Sequence, residues 1–404
     1  MRIELTSTVR LWYAELRGSL DSVPEPTDSP QGHGSGPDPD RVLILGSGAA
    51  NGHGVISHQL ALPGRLADEL SRLTGRGADV DIAIQRPRNG TSRSIGGREI
   101  SHYDAIVVTL GSRDTLALLA PRRWAARVGA LVDALSESAP TSTPIVLTGA
   151  HSFRFPPRRS AGLVRAVEAH EGLLDRMTEQ ICSGKARTSF VPLSTPAPAE
   201  PNHRRASDAY GDWARAIAGH LAPRLPSVDL ALTTGESTAR QLRRQPQRPT
   251  EQQQALADLD IELAHPEERF DHIVALAREY FGARCAALTL SDNGHDVFKS
   301  KAGFSGHPRL ELFSAAVLES GRPLVIADAM SDRRFLPATL AGGTAVRFYA
   351  GYPVEAPNGH RIGVLSVFDT SARNIGAADS IMLRDLAMML QRELWSGNRV
   401  GYRA

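Results

Sequence analysis

Two short stretches hold the side chains best suited to chemistry. Glu200-Pro201-Asn202-His203 places a carboxylate three residues before an imidazole. At that spacing the carboxylate can orient the ring so that it acts as a general base. The second stretch, Gly46-Ser47-Gly48-Ala49-Ala50-Asn51-Gly52-His53-Gly54, is a glycine-dense turn that follows the apolar run Arg41 to Leu45. At the carboxyl end of a buried strand, such a turn is where an α/β fold presents a reactive group. Ser47 supplies a hydroxyl there, and Gly48 supplies none. Backbone N–H groups of a glycine-rich turn can also hold an anion or an acyl carbonyl. His53 and His58, near the turn, read as hydrogen-bonded groups rather than ligands. His151, after the run Ile145 to Leu147, is expected to face the same cleft, and Arg154, Arg158 and Arg159 read as a solvated loop.

These groups need a scaffold, and its periodicity is legible. Apolar runs at Val42 to Leu45, Val80 to Ile84, Ala105 to Leu110, Ile145 to Leu147 and Phe190 to Leu193 alternate with helical stretches. The helices fall over Gly64 to Leu73, Arg122 to Leu135, Leu163 to Ile181 and Tyr210 to Leu221. Strands buried on both faces read as unbroken apolar runs, so the expected fold is a doubly wound α/β domain with a parallel sheet, of the flavodoxin-like three-layer kind. Residues 1–40 are expected to be a short amphipathic helix over residues 6 to 20 and a linker carrying five prolines. Residues 226–254, with Arg240, Arg243, Arg244 and Arg248 among Gln, Ser, Thr and Pro, read as a second, solvated linker.

From Arg41 to Leu221 the order of motifs resembles the SGNH/GDSL family of ester and lipid hydrolases, implying an SGNH hydrolase-like domain over residues 41–225. Laid on Val42-Leu43-Ile44-Leu45-Gly46 and Gly52-His53-Gly54-Val55, the family's nucleophilic Ser falls on Gly48 and its preceding Asp on Ser47. Val107-Val108-Thr109-Leu110-Gly111-Ser112-Arg113-Asp114 keeps that family's third strand, Gly111 and Asp114, with Arg113 where an oxyanion-binding Asn would stand. The backbone donor of its second block falls near Gly90. The last block is implied by Glu200 and His203 before Tyr210-Gly211-Asp212-Trp213-Ala214. Three readings stay open. Ser47 can serve as nucleophile, although one position along the chain moves a hydroxyl by about 3.8 Å where reaction geometry tolerates about 1 Å. His203 can activate water. The third, favoured here, is a scaffold that binds a small molecule or a protein without turnover.

Beyond residue 254 the pattern changes. Phe270, Val274, Ala277 and Phe281 share a helical stripe, and Leu383, Leu386, Leu390 and Leu394 form another. Short strand-like runs lie between them. Phe348 to Val354 and Ile362 to Phe368 flank Pro357-Asn358-Gly359, a hairpin turn signal. An α+β domain with an antiparallel sheet is expected over residues 255–400. The hairpin, together with Leu324-Val325-Ile326-Ala327-Asp328-Ala329 and Asp332-Arg333-Arg334-Phe335, resembles a GAF domain. That resemblance implies an unknown small-molecule ligand near Asp328, Arg333 and Phe335, and a homodimer through the flanking helices. Where many relatives carry Cys-Ala-His after the Phe corresponding to Phe313, Ser314-Ala315-Ala316 stands here. Neither a thiol sensor nor covalent bilin attachment is implied at that position, and the Asn-Lys-Phe-Asp-Glu signature of cyclic-nucleotide-binding relatives is absent.

Composition bounds the partners. The 46 basic and 44 acidic residues give a net charge of +2, which calls for neither nucleic acid nor an anionic membrane surface. Cys182 and Cys285 lie far apart without Cys/His spacing, so no disulfide framework, metal site or cofactor is expected, and the compartment expected is the cytoplasm. No apolar run of about 18 residues marks a membrane span. With no kinase, cyclase or DNA-binding segment recognisable after the second domain, its output is expected to pass through the first domain or a partner. The expected function is sensory or regulatory; the alternative is a regulated esterase using Ser47, His203 and Glu200.

Overall fold

The computed structural model describes residues 24–28, 30–46, 50, 52–84, 94–95, 98–110, 119–149, 161–193, 206–225, 238–245, 247–259, 261, 263, 267–336 and 338–396. The chain divides into two compact units, Met1–Arg240 and Gln241–Ala404.

Apolar strands flanked by amphipathic helices build the first unit. Its strands are β1 (Gln31–Gly34), β2 (Asp40–Gly46), β3 (Ala78–Ile84), β6 (Ala105–Thr109), β7 (Ile145–Thr148) and β8 (Thr188–Val191), and Ser94–Ile95 (β4) pairs separately with Arg98–Glu99 (β5). The six-stranded sheet runs β1-β3-β2-β6-β7-β8, parallel throughout except for β1 at the edge. Along β2, Val42 and Ile44 enter one core while Leu43 and Leu45 enter the other, as alternation in a doubly covered strand requires. The first core is closed by α1 (Leu62–Thr74) and α4 (Ala206–Leu221), and the second by α2 (Pro121–Ser138) and α3 (Ala161–Ser183). Counted by the parallel strands alone, the order is 2-1-3-4-5, so connections reverse direction between β2 and β6.

The stretch expected as a proline-rich linker contributes β1 instead. Its sequence, Gln-Gly-His-Gly, lacks an apolar pattern, and polar contacts and close packing hold it. His33 Nδ1 lies 2.9 Å from Asp79 Oδ1 on β3, and a Cβ on Gly32 would stand 2.2 Å from the amide nitrogen of Gly64 in α1. The helix expected over residues 6 to 20 lies outside the described residues. Arg240, expected on a solvated connector, is 2% exposed. With Arg76 it neutralises Asp38 and Asp40: Arg240 Nη2 is 2.7 Å from Asp40 and Arg76 Nη2 is 2.6 Å from Asp38.

The division between units falls in α5 (Thr238–Arg243), and α6 (Pro249–Ala257) and α7 (Glu268–Tyr280) follow. The antiparallel sheet of the second unit runs β10-β9-β13-β12-β11, from β9 (Cys285–Asp292), β10 (His295–Ala302), β11 (Leu324–Ile326), β12 (Phe348–Glu355) and β13 (Arg361–Asp369). One face packs on α6, α7 and α9 (Ala377–Ser396), and the other on α8 (Glu311–Ser320) and two 3₁₀ turns. The expected hairpin joins β12 to β13. Gly359 takes φ +86°, and the Ala356 amide donates to the His360 carbonyl at 2.8 Å. Among the described residues no helix is long and apolar enough to cross a membrane.

Candidate functional site

In open α/β sheets ligands generally bind beyond the carboxyl ends of the strands, near the point where the connections reverse direction. Gly46 closes β2 beside Thr109 of β6, and Thr109 pairs in turn with Thr148 of β7. Gly46 has φ +135°, and a Cβ there would stand 1.9 Å from the Thr109 carbonyl oxygen, so only glycine lets the two strands finish side by side. Gly52-His53-Gly54 is held from below by α4: the buried Tyr210 hydroxyl donates to the His53 carbonyl at 3.0 Å. Tyr210 meets Trp213 edge-on at 5.6 Å, which accounts for the spacing of the two aromatic residues on that helix. His53 pairs with Glu25 through Nδ1 at 3.0 Å, and burial pulls its pKa down against that carboxylate. His58 Nδ1 lies 2.8 Å from Asp28. Ser47, Gly48, Gly90, Gly111, Arg113, Asp114, His151, Glu200 and His203 all lie outside the described residues.

In the second unit, Asp328, Arg333 and Phe335 take three different positions. Asp328 accepts from the Met330 amide at 3.1 Å and pairs with Arg347, whose guanidinium holds its carboxyl below the usual range. Arg333 is exposed. Phe335 is buried in an aromatic stack with Phe313 at the centre, 4.5 Å from Phe335 and 4.2 Å from Tyr349 between ring centroids.

Three polar residues gather with Tyr349 of β12 at one end of that stack, and sequence reading did not single them out as a group. They are Asp296 on β10, Ser314 on α8 and Ser366 on β13. Tyr349 is 0% exposed, and its hydroxyl makes no hydrogen bond of good geometry, with the hydroxyls of Ser314 and Ser366 beside it. Asp296 Oδ2 is likewise buried and unpartnered. Burial pushes the Asp296 carboxyl up to about 6; the Ser314 hydroxyl works against this and the Glu311 carboxylate adds to it. Small residues keep the sheet low under this group. Ala287, Thr289 and Ser366 alternate with larger residues that face the opposite core. The available signal was a polar or small residue at successive inward positions of otherwise apolar strands.

Residues 265–394 match the GAF domain family. The second unit contains a GAF domain. A cyclic di-GMP phosphodiesterase of Pseudomonas aeruginosa is 28% identical over 140 residues, which cover 34% of this chain and 24% of that protein. The match therefore spans about a quarter of that relative's length. Among solved structures, the GAF domain of an Acinetobacter phosphoenolpyruvate-protein phosphotransferase is 19% identical, covering 38% of this chain and 96% of its own, with a TM-score of 0.29. A free methionine-R-sulfoxide reductase from Neisseria meningitidis, solved in complex with its substrate, is 17% identical, covers 37% of this chain and 89% of its own, and has a TM-score of 0.29. GAF domains typically bind small-molecule ligands, and the Asp296, Ser314 and Tyr349 group lies on the α8 side of this GAF domain's sheet.

Proposed function

We propose that this chain is a sensory or regulatory protein in which a small molecule, taken between α8 and the sheet of the GAF domain, changes what the N-terminal unit binds. One observation carries the reading: Asp296 Oδ2 and the Tyr349 hydroxyl, two buried polar atoms on the α8 side of the sheet, make no hydrogen bond of good geometry. Buried polar groups are normally satisfied, and exceptions mark places built for something else. Coupling to the N-terminal unit requires a ligand that binds the two states with different affinity. The same reading makes the chain a cytoplasmic homodimer that needs neither nucleic acid nor a membrane, with both thiols buried and reduced. Native mass spectrometry of freshly isolated full-length protein tests it, together with thermal shifts across a metabolite panel. A retained small molecule, or a ligand-dependent shift in melting or dimer mass, is expected. No retained mass and no shift across the panel overturns the reading.

A second reading is favoured by the 2-1-3-4-5 strand order and by the Tyr210 hydroxyl under the Gly52-His53 turn. Both suit an SGNH-like domain. In that reading Ser47 is the nucleophile of an ester or acyl hydrolase, His203 its base and Glu200 the orienting carboxylate. Gly48, Gly90, Gly111, Arg113, Asp114 and His151 would line its oxyanion site and pocket. Labelling by a fluorophosphonate and turnover of short-chain aryl esters, both lost in Ser47→Ala and His203→Ala, would replace the non-catalytic reading with this one. No label and no turnover leaves Gly48 as a position without a nucleophile.

A further inference from the structure

Taking the GAF domain as a ligand-binding module, we infer that its ligand presents a positively charged nitrogen, as an amine, amidine or guanidine on an apolar or flat group, to Asp296. The carboxylate sits on edge strand β10, where Asp296 pairs with Ser291 of β9. Its residue is partly exposed while Oδ2 is buried and without a partner, so the group lies at the rim of the α8 side with one oxygen turned inward.

The groups that act on Asp296 are the Ser314 hydroxyl and the Glu311 carboxylate of α8, and it acts in turn on the Tyr349 phenol of β12. None of these is a cation. A carboxylate withdrawn from water, with a second carboxylate near it and no counter-charge among the described residues, is an arrangement that a bound cation relieves. The buried Tyr349 hydroxyl, which makes no hydrogen bond of good geometry with the Ser314 and Ser366 hydroxyls beside it, is a second group able to accept an N–H or donate to a ligand oxygen.

The surroundings select an organic cation over a metal ion. No group of three His, Cys, Asp or Glu able to hold a metal occurs among the described residues. Aromatic rings make up much of the core on the same face of the sheet. Phe298 follows Asp296 by two residues on β10 and joins the core under α8, where it meets Phe304 at 5.7 Å. Phe313 and Phe335 stack deeper in the same core. Aromatic faces attract a cation within about 6 Å of the ring centroid and pack well against flat apolar groups.

Ligand-observed NMR with the full chain tests this, using phenethylamine against phenethyl alcohol and benzamidine against benzamide. Each cationic probe is expected to bind at least tenfold more tightly than its neutral isostere. Asp296→Asn is expected to abolish that preference while the protein stays folded, and Asp296→Ser guards against an effect special to the amide. Equal binding of charged and neutral probes, or a preference that survives Asp296→Asn, overturns the inference and leaves a GAF domain that binds neutral ligands. Binding of none of the four probes overturns both the cation preference and the use of this site.

Discussion

Asp296 sets a pH dependence whose sign can be worked out. Its folded-state carboxyl titrates near 6, above the ordinary 3.8, so between those values the folded protein holds more protons than the unfolded chain. Stability from this group is therefore greatest below about pH 4, falls as pH rises toward 6 and is flat above. The loss is on the order of 3 kcal/mol. Asp296→Asn is expected to remove it and to make the GAF domain more stable than wild type at pH 7, read from urea denaturation at pH 4 and pH 7. Glu267 works in the opposite direction. Despite its burial it is held low by Lys299 and Arg269, so its contribution is lost on acidification, and the difference between wild type and Asp296→Asn isolates the one group. Arg361 is the other residue with a defined task. It is 2% exposed and donates to the carbonyls of Arg243 at 2.7 Å and Gln245 at 2.8 Å, while its amide donates to Gln247. Arg361→Ala strands both carbonyls and is expected to cost about 2–4 kcal/mol in denaturation of the GAF domain. A loss below about 0.5 kcal/mol would show that these bonds carry no weight.

At the scale of elements, close approach decides what sequence periodicity leaves open. β2 and β6 finish side by side because Gly46 has no side chain to meet the Thr109 carbonyl. Gly46→Ala forces β2 away from β6 and combines overpacking with a φ that alanine avoids. A loss of about 3 kcal/mol or more in chemical denaturation is expected, with wild-type stability as the contrary result. The apolar run of β2 made that strand legible, as Pro357-Asn358-Gly359 did the hairpin. β1 was not legible, because Gln31 to Gly34 are polar or glycine. Its place depends on Asp79 and Gly64, which lie far along the chain. The cation cluster around Arg240 was hidden for the same reason: Asp38 and Asp40 come from the stretch expected to be a linker.

For the whole molecule, two compact units predict two stability ledgers. Breaking a buried ion pair by removing one partner costs about 3–5 kcal/mol, because the remaining charges stay buried. Arg240→Ala leaves the buried Asp40 short of a counter-charge within the first unit, whereas Arg361→Ala acts within the second. Differential scanning calorimetry of the full chain should resolve two transitions, each lowered by one variant and unmoved by the other. A single transition lowered equally by both would show that the chain unfolds as one cooperative body.

The amino-acid order by itself determined the repeating strands and helices of the first unit, the parallel sheet they form, and the GAF domain with its antiparallel hairpin. These follow from burial patterns and turn residues that act within a few positions along the chain. Tertiary structure alone decided that Asp296, Ser314, Tyr349 and Ser366 meet, that Phe335 fills a stack, and that Asp328 answers Arg347. Each of those side chains looks ordinary in its own segment. A buried charge becomes costly, and therefore informative, only when folding removes water from around it and shows whether another element supplies the missing partner.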